Sequence, residues 1–184
     1  MKLSQLFANC AWNVPYKETG KDVDYAFVEE GSTLYIYFKG SDSAIDWFRN
    51  FFFFSTFKKP YKNMDIPYKV HSGFLSAWKE VEDIVIEKIQ EKENDEYKWK
   101  KIIVVGYSHG GALAAFCHEC VWYWRPDLRK EGLRGFGFEA PRIYAGFSVK
   151  KELEERWEHF TVIRDGTDLV THCPPVIFGF CHVG

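Results

Sequence analysis

Residues 102–111, Ile-Ile-Val-Val-Gly-Tyr-Ser-His-Gly-Gly, constrain what this chain can fold into more than any other stretch. Ile102, Ile103, Val104 and Val105 form a β-branched run suited to a strand buried on both faces. Gly106-Tyr107-Ser108-His109-Gly110 follows as a G-x-S-x-G pentapeptide, and Gly111-Ala112-Leu113-Ala114-Ala115 then favours a helix. Strand, tight turn and helix place the serine at a strained apex, at a cost of roughly 1–3 kcal/mol. Glycines two before and two after it leave room where side chains would collide. The same turn aims the backbone N–H of His109, and the positive end of the helix, at any negative charge developing beside the serine.

Bulk properties narrow the class. At 184 residues the chain is read as one domain, 1–184, large enough to bury a core without staples. Lys plus Arg number 24 against 26 Asp plus Glu, a balance that speaks against a nucleic-acid partner. No run approaches the ~20 apolar residues of a membrane span, so no transmembrane segment is expected. The stretch from Met1 to Cys10 has no sustained apolar core of a leader peptide. Five cysteines cannot all pair internally, which favours a reducing, cytoplasmic setting. Cys117-His118-Glu119-Cys120 has metal-ligand types, yet no second ligand pair stands at useful spacing, so buried, inert thiols are expected and no metal. Aromatic residues make up 18% of the chain, enough either for a heavy aromatic core or for an apolar substrate groove.

Strand and helix patterns alternate along the chain. Residues 22–28 and 33–38 read as a hairpin joined by Glu29-Glu30-Gly31-Ser32. Residues 44–54 start helical and end strongly aromatic, and 57–67 carry the Pro and Asn of a long loop. Phe74, Trp78, Val81, Val85 and Ile89 recur at helical spacing between charged residues, the pattern of an amphipathic helix on a sheet. Residues 91–101 read as a charged, solvated connector, and Arg125-Pro126-Asp127 ends the helix after the elbow. Residues 135–139 and 159–163 supply further strands, with a helix expected over 148–157. The sum is an α/β fold, a mostly parallel central sheet with helices on both faces.

A serine hydroxyl becomes a nucleophile only when a histidine takes its proton, and a carboxylate orients that histidine. After an elbow serine the acid comes next in the chain and the histidine last. Asp165 and Asp168 both lie in the loop after the 159–163 strand. Asp165 before Gly166 suits a turn, which leaves Asp168 as the acid. His172 lies only four residues past Asp168, too close for one loop to place both groups easily. His182 lies 14 residues on, beyond the stiff Cys173-Pro174-Pro175 break, and is the expected base. His71, His118 and His159 are read as capping or structural. Lys39-Gly40-Ser41 closes an early strand and can offer a second oxyanion donor, or be merely a polar hairpin end.

Six ordered blocks carry a family resemblance. They are Phe38-Lys39-Gly40-Ser41, Asp46-Trp47-Phe48, Val70-His71-Ser72-Gly73-Phe74-Leu75, the elbow through Ala114, Ala140-Pro141-Arg142, and Asp168-Leu169-Val170-Thr171-His172-Cys173-Pro174-Pro175. Together they resemble class 3 (fungal-type) lipases across nearly the whole chain. The resemblance implies a compact α/β-hydrolase fold with Ser108 as nucleophile and Asp168 as triad acid. It also implies Ser41 as an oxyanion residue with His109 as its backbone partner. The stretch from Ser43 into Phe51, Phe52, Phe53 and Phe54 matches the position of the family's lid. The function so implied is carboxylic-ester hydrolysis on acyl lipids, without metal or organic cofactor and with transient contact at a lipid interface. The alternative is a lipase-like scaffold that has lost turnover and binds a protein, since fold alone does not dictate activity.

Overall fold

The computed structural model describes residues 1–19, 23–40, 55–56, 69–145, 155–164 and 170–183. Helix α1 spans Leu3–Ala8 and runs on as a π-helical turn, Asn9–Asn13. Strands β1 (Lys17–Glu18), β2 (Asp24–Glu30), β3 (Thr33–Phe38), β4 (Ser55–Thr56) and β5 (Lys69–His71) precede helix α2 (Ser72–Ile89). A small hairpin, β6 (Lys92–Glu93) and β7 (Glu96–Tyr97), leads to β8 (Lys101–Tyr107) and helix α3 (His109–Trp124). Strands β9 (Leu133–Phe138), β10 (Tyr144–Ala145), β11 (Phe160–Ile163) and β12 (Phe180–Cys181) complete the described elements.

The main sheet has the order β1-β2-β3-β8-β9-β11. Strands β3, β8, β9 and β11 are mutually parallel, and β1 and β2 add an antiparallel edge. Side chains of β3 and β8 alternate between two cores, as strands covered on both faces must. Leu34, Ile36, Phe38, Ile102 and Val104 pack under α2 and α3. Tyr35, Tyr37, Ile103 and Val105 face the other way, against Leu6 and Cys10 of the N-terminal helical segment. Helices therefore cover both faces, as the alternating pattern predicts. The predicted apolar stripe of α2 (Phe74, Trp78, Val81, Val85, Ile89) is buried throughout. Helix α3 is buried around its whole circumference from His109 to Val121, which suits its small and apolar residues rather than an amphipathic pattern.

Three local expectations need adjusting. The first hairpin turns on Gly31-Ser32 alone, because β2 continues through Glu29 and Glu30. Glu29 is held there by Lys88 and by Lys98 at 2.9 Å. The 91–101 connector is structured. Its turn residues Asn94 and Asp95 take φ of 52° and 63°, as a two-residue hairpin loop demands. Behind it Trp99 is fully buried and donates to the Lys88 carbonyl at 2.9 Å. Charge density hid a single aromatic anchor. Of the helix expected over 148–157, the described part, Glu155–Trp157, is a 3-10 turn. The readings of 44–54 and 57–67 lie outside the described residues. Among the described residues no helix is long and apolar enough to cross a membrane.

A second, antiparallel sheet of order β12-β10-β5-β4 carries the end of the chain, with Tyr144 opposite both Val70 and Cys181. Its short strands bring His71 and the residue after Cys181, His182, into the neighbourhood of α3. Among the described residues several large aromatics form the core: Trp78, Trp99, Tyr37, Phe38 and Phe116 are all fully buried.

Candidate active site

Ser108 joins β8 to α3 with φ 51° and ψ −120°. A non-glycine residue there carries strain of order 1–3 kcal/mol, and two backbone bonds hold it. The Ser108 N–H donates to the Phe138 carbonyl at the end of β9, and Gly111 N–H donates to the Ser108 carbonyl, both at 2.8 Å. The serine hydroxyl does not cap α3. This is the sharp strand-to-helix turn that the pentapeptide predicts.

The surrounding glycines are explained by contact. A methyl group at Gly110 would strike the carbonyl oxygens of Phe38 and Lys39, the latter at 2.6 Å. At Gly106 it would meet the Gly111 nitrogen at 2.8 Å, and at Gly111 the Ala140 Cβ at 2.7 Å. The first turn of α3 is thus wedged between the end of β3 and the Ala140-Pro141-Arg142 segment. Gly40 closes the other side, where an added Cβ would lie 2.9 Å from the Tyr107 ring and 3.4 Å from Ser108 Cβ. The loop after β3 therefore runs directly against the serine. Ser41, the next residue, lies outside the described residues, as do Asp165, Asp168 and Phe51, Phe52, Phe53 and Phe54.

His109 opens α3, with its ring buried 5.6 Å from that of Phe74. Burial pushes its pKa down to about 4. An uncharged ring there leaves the backbone N–H and the helix end as the positive groups beside the serine.

His182 follows β12 and is half-buried. It lines a narrow cleft with Gly111, Ala115, Ala140 and Pro141, facing the first turns of α3. Its Nε2–H donates to the Thr171 carbonyl at 2.8 Å. Among the described residues no hydrogen bond joins it to Ser108. Desolvation depresses its pKa to about 4, so the ring is neutral at neutral pH, as a proton acceptor must be. Its proton rests on Nε2 in this arrangement, so taking a proton there requires the ring to leave Thr171. His172 lies on the outside of the same segment, exposed, with Nδ1 3.1 Å from Thr171 Oγ1.

Two of the histidines read as structural, His71 and His118, are so placed. His71 caps α2, accepting from Phe74 N–H, and packs on the rings of Phe74 and Phe180. His118 donates from Nε2 to the Arg156 carbonyl at 2.8 Å within the core. Cys117 and Cys120 are fully buried with thiol pKa values pushed well up, and no metal-ligating cluster occurs among the described residues.

Arg142 is the contributor that residue chemistry alone did not single out. Its backbone N–H donates to the Cys173 carbonyl at 2.8 Å, and its guanidinium to those of His172 (2.6 Å) and Pro174 (3.1 Å). It clamps the segment whose Thr171 carbonyl holds His182. An isolated arginine after Ala140-Pro141 gives no such signal, because its partners are backbone oxygens some 30 residues away.

The family model described as "Lipase (class 3)" matches residues 35–178. A lipase of Rhizomucor miehei is 30% identical over 156 residues, covering 83% of this chain and 40% of that protein. Lipase II from Rhizopus niveus superposes with a TM-score of 0.75 at 27% identity, over 91% of this chain and 62% of the other. A triacylglycerol lipase whose catalytic centre is described as a serine protease triad superposes with a TM-score of 0.66 at 25% identity, over 93% and 63%. The chain thus spans about two-fifths of the length of the curated relative. The fold is that of the α/β-hydrolases. With the elbow, its glycine contacts and 144 matched positions in agreement, this chain belongs to the class 3 lipase family.

Proposed function

We propose that this protein is a serine carboxylic-ester hydrolase acting on acyl lipids. In this reading Ser108 attacks the ester carbonyl while His182 accepts its proton and returns it to the leaving alcohol. Asp168 orients the imidazole, and the N–H groups of Ser41 and His109 stabilise the oxyanion. Phe51, Phe52, Phe53 and Phe54 border the acyl groove, next to the oxyanion loop. No metal or organic cofactor takes part. The odd number of cysteines supports a reducing, cytoplasmic setting.

The observation that carries the reading is the strained Ser108 apex with Gly40 brought against it. Strain of this kind persists only where the surrounding structure over-determines it, and it clusters at working sites. A scaffold that merely binds a protein has no need of it. The relatives, named as lipases, support the same chemistry. A chain-length series of nitrophenyl esters, run on the wild type and on Ser108→Ala, tests the proposal. Turnover by the wild type that disappears in the variant is expected. An inert wild type would favour the scaffold, and equal turnover in both would remove Ser108 from the reaction.

A further inference from the structure

Three parallel strands end at the proposed reaction centre, at Phe38 of β3, Tyr107 of β8 and Phe138 of β9. Each end fixes one part of the site. Phe38 leads into Lys39-Gly40, which lies against the serine, and its carbonyl faces Gly110 where no methyl fits. Tyr107 precedes Ser108 in the chain, and the Phe138 carbonyl accepts the Ser108 N–H. The N-terminal helical segment touches all three from the face opposite α2 and α3. Cys10 Sγ–H donates to the Phe38 carbonyl at 3.3 Å. The ring of Phe7 stands edge-on to Tyr107 at 5.7 Å and to Phe138 at 5.1 Å. Tyr16 donates to the Cys10 carbonyl, and Asn9 donates to the Tyr37 hydroxyl at 3.3 Å, so the segment is itself held in place.

We propose that Cys10 and Phe7 are positioning residues, through which the N-terminal segment braces the oxyanion loop and the serine elbow. The inference rests on the hydrolase reading above. A carbonyl with a donor on one side and a helix backbone on the other has one orientation available. That orientation fixes the peptide plane from which Lys39 and Gly40 follow. Buried and with its thiol pKa pushed up to about 12, Cys10 stays protonated and keeps its donor. Losing this bond leaves that peptide held by the Lys39 N–H on the Asp24 carbonyl at 3.1 Å, and so loosens its carbonyl side without removing any group that touches substrate. The consequence falls on kcat, because a donor displaced by a fraction of an ångström stabilises the transition state poorly while ground-state binding is hardly altered.

The test compares wild type, Cys10→Ala, Cys10→Ser and Phe7→Ala on nitrophenyl butyrate. Rates are normalised to the folded protein measured by circular dichroism. Cys10→Ala is expected to lower kcat roughly 10-fold with KM within about two-fold, given how steeply rate depends on positioning. Cys10→Ser, which keeps a donor, should restore most of it, and Phe7→Ala should fall between. Unchanged normalised kcat in Cys10→Ala and Phe7→Ala overturns the brace, as does a rise in KM without loss of kcat. Should Cys10→Ala fail to fold, Cys10→Ser and Cys10→Thr decide: kcat falling with the poorer donor geometry of Thr supports the brace, and equal kcat overturns it. An inert wild type instead marks failure of the hydrolase reading itself.

Discussion

The two sides of the site are built in different ways. Ser108 lies at the end of a main-sheet strand, between it and a helix buried from His109 to Val121, with Gly106, Gly110 and Gly111 each filled to contact by backbone or Ala140. His182 stands at the end of a two-residue strand in the second sheet, half-buried, and its Nε2 is engaged by the Thr171 carbonyl. Ser108, the proposed nucleophile, is therefore positioned by the packing of the domain. The histidine is positioned by a local clamp that runs through Thr171 and the bonds of Arg142. A group fixed by the core tolerates almost no change nearby, whereas one fixed by a clamp can be moved by altering one bond.

The largest expected effect sharpens this contrast. His182→Ala should lower kcat by about 10⁴ or more, comparable with Ser108→Ala, because triad members act as a unit. His172→Ala, an exposed change, should cost far less. Steady-state kinetics on a soluble ester would show it, and the reverse ranking would move the base to His172. The next effect is on folding. Gly110→Ala must displace Phe38 or α3, so it should destabilise by about 1–3 kcal/mol or more, the range of overpacked cores, and lower activity. Gly31→Ala meets nothing within 4 Å but has φ +58°, so about 1 kcal/mol is expected, with activity retained. Urea midpoints with parallel assays separate the two.

Replacing Phe51 and Phe52 with Ser should depress long-chain turnover severalfold more than short-chain turnover. Equal losses together with a lower melting temperature would assign these residues to the core.

At neutral pH the smallest effect is that of a buried histidine, which shows only as the pH falls. His109, His118 and His182 all have pKa values pushed down from 6.5 to about 4, chiefly by burial. The unfolded chain thus binds more protons than the native one between those values. Stability is fully present above about pH 6.5 and is lost as pH falls towards 4. His118→Gln, which keeps a donor for the Arg156 carbonyl but does not titrate, should shallow that decline in a melting series without changing activity at neutral pH.

How far each side was legible in the sequence follows from the same contrast. The elbow is a contiguous word whose strand, glycines and helix constrain one another, so 102–115 disclosed local geometry and core together. The α2 stripe was legible for the same reason, since helical periodicity registers burial directly. Trp99 was not, because one buried aromatic beside a charged hairpin has no period. The Arg142 clamp escaped because its partners are backbone carbonyls, which any residue supplies. The Thr171 bond to His182 was likewise invisible, so elimination could nominate the histidine but not its resting partner.

Labelling with a fluorophosphonate probe, followed by intact mass and peptide mapping, asks whether Ser108 alone is activated. A single adduct is expected, on Ser108, that disappears in Ser108→Ala while the variant keeps its fold. An adduct on another serine, or a folded wild type that takes no label, would contradict it.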